Sequence, residues 1–99
     1  MDLIELYRYI NERLGVNPEE GETRSDNFAY LWSRAYFCTF AKIELDECTT
    51  DISLVIGRIE AIVNRDIRNL RRLRQEKDFV SHFVVSRYDE LRAELLTKY

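Results

Sequence analysis

The chain has 99 residues, a formal net charge of -3, 45% hydrophobic and 33% charged residues, which fits one domain and leaves no room for a second core. One Trp, six Tyr and five Phe supply enough apolar surface to exclude a disordered chain. Three Gly and one Pro are too few for the frequent turns of an all-β protein. The composition therefore favours helices within a single domain, 1–99.

The amino terminus carries no basic stretch followed by an apolar one, so we expect no secretory signal. The most apolar segment, 28–43, contains two charged residues and is too short to cross about 30 Å of hydrocarbon. Cys38 and Cys48 lack the Cys-x-x-Cys spacing of zinc and redox sites. We therefore expect a cytoplasmic protein with reduced thiols, no metal, no cofactor and no membrane contact.

The first predicted helix covers residues 3–14. Asp2 precedes it with the spacing of a capping box, and apolar residues follow at intervals of three and four. Gly15 is expected to close the helix in the left-handed conformation, and Pro18 cannot continue it. Residues 16–25 are then a polar loop.

The second predicted helix, about 26–46, is apolar on two opposite faces. Thr23 or Ser25 is expected to cap it. A helix of this kind needs neighbours on two sides, and we expect a second chain to supply one of them. The residues predicted to form this oligomer interface are Phe28, Trp32, Tyr36 and Phe37.

The competing prediction for this region is a β-hairpin within residues 37–56, which would make the fold α+β. Apolar and charged residues alternate from 41 to 46, and residues 52–56 are mostly β-branched. Against the hairpin, the connection lacks an Asn-Gly or Asp-Gly turn signal.

A third helix is predicted to begin at a cap within 49–51, and apolar residues from 52 to 73 then occupy an arc of about 140°. A polar stretch interrupts the pattern before it resumes. The sequence allows two helices with a turn near 75–78, or one helix of about 48 residues and 72 Å. Our prediction for the fold is all-α, a small dimeric four-helix bundle. The residues that resume the apolar stripe are Phe79, Val80, Phe83, Val84, Tyr88, Leu91 and Leu95.

The net charge conceals an acidic half and a basic helix. Acids and bases number eleven and five in residues 1–51, three and seven in 52–77, and four and three in 78–99, which sum to -6, +4 and -1. Like charges on the polar arc of the third helix repel one another, so this arginine face needs an acidic counterpart. Its members are Arg58, Arg65, Arg68, Arg71 and Arg72.

Three interpretations of the arginine face are open. Acids of residues 1–51, in the same chain or in a second copy, could neutralise it; the candidates are Glu19, Glu20, Glu22, Glu44, Asp46 and Glu47. An acidic protein, a nucleic acid or a nucleotide could bind it, because Arg binds carboxylate and phosphate bidentately. The sequence pI near 5.2 speaks against nucleic acid. The third interpretation is a solvated face without a partner.

Asp66 falls inside the predicted apolar arc, where an unpaired carboxylate is strongly unfavourable. Arg34, among the aromatic residues of the second helix, is its predicted partner. Because buried pairs of this kind fix register or oligomeric state, we include Arg34 and Asp66 in the predicted oligomer interface. The alternative is that the helix turns Asp66 towards water.

The sequence offers no set of residues for catalysis. His82 is the only histidine, and no glycine-rich phosphate loop, Gly-x-Ser-x-Gly or His-Glu-x-x-His motif occurs. Glu44-x-x-Glu47 resembles the first magnesium-binding motif of small helical nucleotide pyrophosphohydrolases, but their later Glu-x-x-Asp is missing. We therefore expect no catalytic residue and no enzymatic activity.

The leading hypothesis is a small non-enzymatic helical protein that acts as a homo-oligomer and binds or inhibits a protein partner. The alternative is a nucleic-acid or nucleotide-binding module that uses the arginine face. The size and acidity also suit an inhibitor of the kind found among small phage proteins, which would act in the host cytoplasm.

Overall fold

The computed structural model describes residues 1–19 and 28–99. Five α-helices occur in this part of the chain, and we number them in order. They are α1 (Leu3–Arg13), α2 (Phe28–Thr39), α3 (Thr49–Ile56), α4 (Glu60–Leu73) and α5 (Phe79–Leu96), and α2 continues into a π-helical turn, Phe40–Glu44. The predictions that lie outside the described residues are the caps Thr23 and Ser25, the helix start near Asp26, and the acids Glu20 and Glu22.

The helical content confirms the all-α prediction. The described residues contain no strand, so the hairpin within 37–56 is wrong. Residues 37–44 continue α2, and residues 49–56 form α3, because their apolar residues are buried at helical rather than alternating spacing.

Both ends of α1 agree with the sequence prediction. The Asp2 carboxylate accepts a hydrogen bond from the Glu5 amide at 2.8 Å. At the other end Gly15 takes a φ of 67°, and the Val16 amide donates to the Asn11 carbonyl at 2.8 Å. These are the features of a Schellman motif, which satisfies carbonyls that the helix leaves without a partner.

α2 lies against both α1 and α4 and is buried on both faces. Tyr36 contacts the ring of Tyr88, and its hydroxyl donates to the Val84 carbonyl at 2.6 Å, which ties α2 to α5. Phe37 packs on Tyr7 of α1, with ring centroids 4.8 Å apart. The two neighbours that this helix needs are therefore supplied by its own chain, so the burial of α2 does not require the predicted second chain.

The end of α2 widens into the π-helical turn. The Leu45 amide donates to the Phe40 carbonyl five residues back, at 3.3 Å, so the turn holds one residue more than an α-helical turn. Asp46 then takes a positive φ of 53°, a conformation that Asp tolerates better than most residues. The turn places Glu44 where it forms an ion pair with Arg92 of α5.

The predicted third helix is two helices, α3 and α4, because Gly57 ends the first of them. Gly57 has a φ of 67°, the left-handed conformation that closes helices. The apolar arc predicted for 52–73 is therefore interrupted, and Ile59 is 71% exposed instead of buried. Cys48, not a residue of 49–51, takes the N-cap position of α3. The described residues thus hold five α-helices where four were predicted.

A turn separates α4 from α5, so the single helix of about 48 residues is wrong and the turn predicted near 75–78 is confirmed. The Asp78 carboxylate accepts a hydrogen bond from the Ser81 amide at 2.9 Å and caps α5. Arg74 of this turn pairs with Asp89 of α5 at 2.8 Å. The cap marks where α5 begins, and the exposed ion pair joins α5 to the end of α4.

The apolar stripe predicted for α5 divides between the core and the surface. Its buried members are Val84, Tyr88, Leu91 and Leu95. At 100° per residue, Phe83 and Phe79 point about 110° and about 150° away from the centre of these residues, and Val80, in the first turn, points about 50° away from it. The exposed fractions of Phe79, Val80 and Phe83 are 81%, 67% and 53%. The prediction that these three residues continue the core is therefore wrong.

Replacing Gly57 by Ala should lower the free energy of unfolding by about 1–2 kcal/mol, the cost of the left-handed conformation for a residue with a Cβ. No heavy atom lies within 4 Å of the position that a Cβ would take, so the loss arises in the backbone and not from a clash. Gly57→Asn is the matched control and should lose less, because Asn tolerates this conformation. Urea unfolding followed by circular dichroism measures both variants, and equal losses would contradict the prediction.

Candidate functional site

Four members of the arginine face are exposed on α4, and the fifth is not part of that helix. Arg58 follows Gly57 in the turn between α3 and α4, so the prediction that it shares a helical face with the others is wrong. We name the remaining four the α4 arginines; they are Arg65, Arg68, Arg71 and Arg72.

The α4 arginines form no ion pair with any of the described residues. The ion pairs in that part of the chain join Arg13 to Glu94, Arg34 to Asp66, Arg74 to Asp89 and Arg92 to Glu44. Glu44, one of the acids predicted to neutralise the arginine face, is thus engaged with α5 instead. Three further predicted acids, Glu19, Asp46 and Glu47, form no ion pair with a described residue.

The position of each arginine along α4 decides whether the helix dipole can account for a positive charge there. Arg71 and Arg72 lie in the last turn, where a cation is stabilised by the helix dipole. Arg65 and Arg68 lie in the middle of α4, where the dipole has little effect. The charge of these two residues therefore calls for a different explanation.

A groove of about 260 Å³ lies between α2 and α4. Phe28, Leu31 and Trp32 line it from α2, and Arg65, Asn69 and Arg72 line it from α4. Phe28 is 72% exposed, and Trp32 is partly buried. Arg65 and Arg72 are two helical turns apart, about 10 Å along the axis. We name this feature the α2/α4 groove.

The floor of the α2/α4 groove is a buried ion pair between Arg34 and Asp66, which are both 4% exposed. The guanidinium Nε donates to Oδ2 at 2.6 Å and Nη2 to Oδ1 at 3.1 Å. Burial alone would lower the pKa of Arg34, but the hydrogen bonds and charge of Asp66 outweigh it and raise that pKa. The predicted pairing is confirmed, and the alternative with Asp66 turned to water is wrong.

The residues predicted to form an oligomer interface differ in accessibility. Tyr36 and Phe37 are almost fully buried among residues of their own chain, and Arg34 and Asp66 are buried against each other. Of the six predicted residues, Phe28 and Trp32 are the two that keep accessible surface. Both line the α2/α4 groove, so the structure joins part of the predicted interface to part of the arginine face.

Sequence reasoning missed the polar residue at the centre of the groove. Asn69 lies four residues after Arg65 and three before Arg72, so helical spacing alone could have identified it. Leu31 and Leu73 could not be found in this way, because only the packing of α2 on α4 brings them to one groove. Two guanidinium groups and an amide offer hydrogen-bond donors to a carboxylate, beside apolar surface for a hydrophobic side chain.

The remaining chemistry of the described residues is sparse. They bring together no three His, Cys, Asp or Glu side chains that could hold a metal ion, and none of their helices is long and apolar enough to cross a membrane. Burial raises the pKa of the Cys38 thiol to about 12, which keeps it protonated near neutral pH. Comparison with protein-family models, curated proteins and solved structures finds no match to this chain.

Asp66→Asn should lower the free energy of unfolding by about 3–5 kcal/mol, because it leaves the Arg34 guanidinium buried without a counter-charge. The double variant Arg34→Leu with Asp66→Leu removes both charges and should lose less than the sum of the two single Leu variants. Urea unfolding measures all four proteins. Additive losses in the double variant would show that the two side chains do not depend on each other.

Compared with a free tryptophan amide, Trp32 should show a preference for quenching by iodide over caesium, because the α4 arginines raise the local concentration of anions. Trp32 is the only tryptophan, so the signal reports on the α2/α4 groove. Arg65→Glu combined with Arg72→Glu should abolish the preference, whereas Arg58→Glu, outside α4, should preserve it. An iodide-to-caesium quenching ratio equal to that of the free tryptophan amide would rule out a positive potential at the groove.

Proposed function

We propose that this chain is a non-catalytic protein-binding module whose α2/α4 groove accepts an acidic segment of a partner protein. The observation that carries the proposal is the pairing of Arg65 and Arg72 with an apolar groove. Both arginines are exposed and form no ion pair with a described residue, while Phe28 and Trp32 offer apolar surface on the α2 side of the groove. On this proposal the chain acts by occupying its partner's surface, as an inhibitor or an adaptor does.

The chemistry of the groove supports an acidic and partly hydrophobic ligand. Arginine and tryptophan are enriched among the residues that carry most of the energy of protein interfaces. A guanidinium group binds a carboxylate with two parallel hydrogen bonds, and arginines two turns apart on α4 match carboxylates about two helical turns apart in a helical ligand. Trp32 and Phe28 would cover an apolar side chain between those carboxylates.

The electrostatics of the groove support the same ligand. The Arg34 and Asp66 charges on the floor cancel, so the net charge at the groove comes from Arg65 and Arg72. A positive rim over a neutral floor attracts an acidic partner and speeds its association. The same rim disfavours a basic partner, which gives the groove selectivity for charge as well as for shape.

Nucleic acid is the second candidate, because four exposed arginines on one helix could contact phosphates. The net charge of -3 opposes it, since the rest of the chain repels a polyanion. The groove is also lined by leucine and aromatic side chains, whose area phosphate contacts would leave unused. The acidic protein segment is therefore the better-supported ligand.

A labelled peptide of alternating glutamate pairs and leucines should bind the wild-type protein and shift the emission of Trp32. Arg65→Glu should weaken binding about tenfold or more, because it removes a charge-assisted hydrogen bond and adds repulsion. Arg58→Glu is the matched control, since it makes the same charge change outside the groove, and it should have little effect. Titration by fluorescence anisotropy measures these affinities.

Two outcomes of this titration would contradict the proposal. Equal weakening by Arg65→Glu and Arg58→Glu would show that net charge alone drives binding. Tighter binding of a generic DNA duplex than of the peptide, with a steep loss between about 50 and 200 mM salt, would favour the nucleic-acid module instead.

A further inference from the structure

The first turns of α5 carry an exposed apolar surface that the α2/α4 groove does not use. It consists of Phe79, Val80 and Phe83, each more than half exposed, and we name it the α5 patch. Single exposed apolar residues are ordinary on protein surfaces. Phe83 is a neighbour of both others on the helix surface, four residues after Phe79 and three after Val80, so the three form one contiguous area, and such areas are often interaction surfaces.

The charged residues around the α5 patch are of both signs. Lys77 and Asp78 precede it, and Arg87 and Glu90 follow it along α5. None of the four forms an ion pair with a described residue. The Arg87 guanidinium lies over the ring of Phe83, 5.9 Å from its centroid. The patch is therefore an apolar centre with a basic and an acidic group at each end.

Charges of both signs allow the α5 patch to meet the same patch of a second copy, whereas the α4 arginines could not meet their own copies without repulsion. In a symmetric dimer the same surface of each copy meets itself. The α4 arginines would then meet one another, and juxtaposed like charges are strongly unfavourable. A patch with both signs at its ends avoids this repulsion when the two helices run in opposite directions.

We propose that a second copy of this chain docks on the α5 patch, with the two α5 helices antiparallel and the two Phe83 side chains near the twofold axis. This arrangement brings Lys77 near Glu90 of the second copy and Asp78 near Arg87 of the second copy. A parallel arrangement would instead place each charge against its equivalent. Charge complementarity thus selects both the occupant and its direction.

The size of the α5 patch sets the expected strength of the dimer. Two phenylalanines and a valine at these exposures offer on the order of 300 Å² per copy. A stable interface of standard size buries about 800 Å² on each side. We therefore expect a weak dimer that dissociates in the micromolar range or above, and that leaves the α2/α4 groove of each copy accessible.

Sedimentation velocity of the full chain, from about 10 μM to about 1 mM, tests for this weak dimer. The wild-type protein should shift from monomer to dimer, and Phe83→Glu should raise the dissociation constant about tenfold or more. Leu54→Glu is the matched control, because Leu54 is 74% exposed but lies on α3. A wild-type protein that stays monomeric throughout, or a dimer that Leu54→Glu weakens as much as Phe83→Glu does, would overturn the proposal.

A charge exchange between exposed residues tests the antiparallel direction without altering the apolar patch. Lys77→Glu alone and Glu90→Lys alone should each weaken the dimer, because each creates a like-charged contact across the axis. The double variant should restore dimerisation, and failure to restore it would overturn the antiparallel arrangement.

The dimer proposal does not rest on the proposed function. Arg65→Glu combined with Arg72→Glu should leave dimerisation unchanged while abolishing peptide binding. A dimer lost in this variant would place the contact at the α2/α4 groove and overturn the assignment to α5.

Discussion

The buried ion pair between Arg34 and Asp66 fixes how α2 lies on α4. Two charges removed from water are tolerated only when their geometry is good, and here two hydrogen bonds join them. A shift of α2 by one residue along α4 would leave a guanidinium and a carboxylate buried apart, at a cost that apolar packing could not offset. The pair therefore selects one register among those that the apolar faces of α2 would accept.

That register also builds the α2/α4 groove. Trp32 lies two residues before Arg34, and Arg65 lies next to Asp66. The pairing of Arg34 with Asp66 therefore also brings Trp32 and Arg65 to the two sides of the groove. The floor is buried, neutral and held by two hydrogen bonds, and preorganisation of this kind favours binding of the ligand that we propose. The ion pair that sets the packing of α2 on α4 is thus also part of the surface proposed to bind a partner.

The all-α fold class and the ends of α1 could be predicted because they depend on residues that are close in sequence. The pair of Arg34 with Asp66 could be predicted because a charge in an apolar arc needs a partner. The break at Gly57 was missed because the apolar periodicity continues across it, although a glycine at that point is itself a helix-ending signal. The outward position of Phe79 could not be predicted, since the sequence shows that a residue is apolar but not which neighbours cover it. The groove depends on packing between segments that are distant in sequence. The sequence therefore predicted its arginines and its aromatic residues as separate features, but not that they lie in the same groove.

The π-helical turn at the end of α2 has a consequence for how this chain tolerates changes in length. A turn closed by a bond to the fifth residue back contains one residue more than an α-helical turn, so it is the form that a single-residue insertion into a regular helix would leave. Deleting one residue from Phe40–Glu44 would regularise the helix and, because the wider turn already absorbs the extra residue, would leave the following residues on nearly the same side of the helix axis. Glu44 would then still face Arg92, and the connection to α3 would start from the same side of the molecule. A change of one residue in length can therefore be absorbed at the end of α2 without turning the helices that follow.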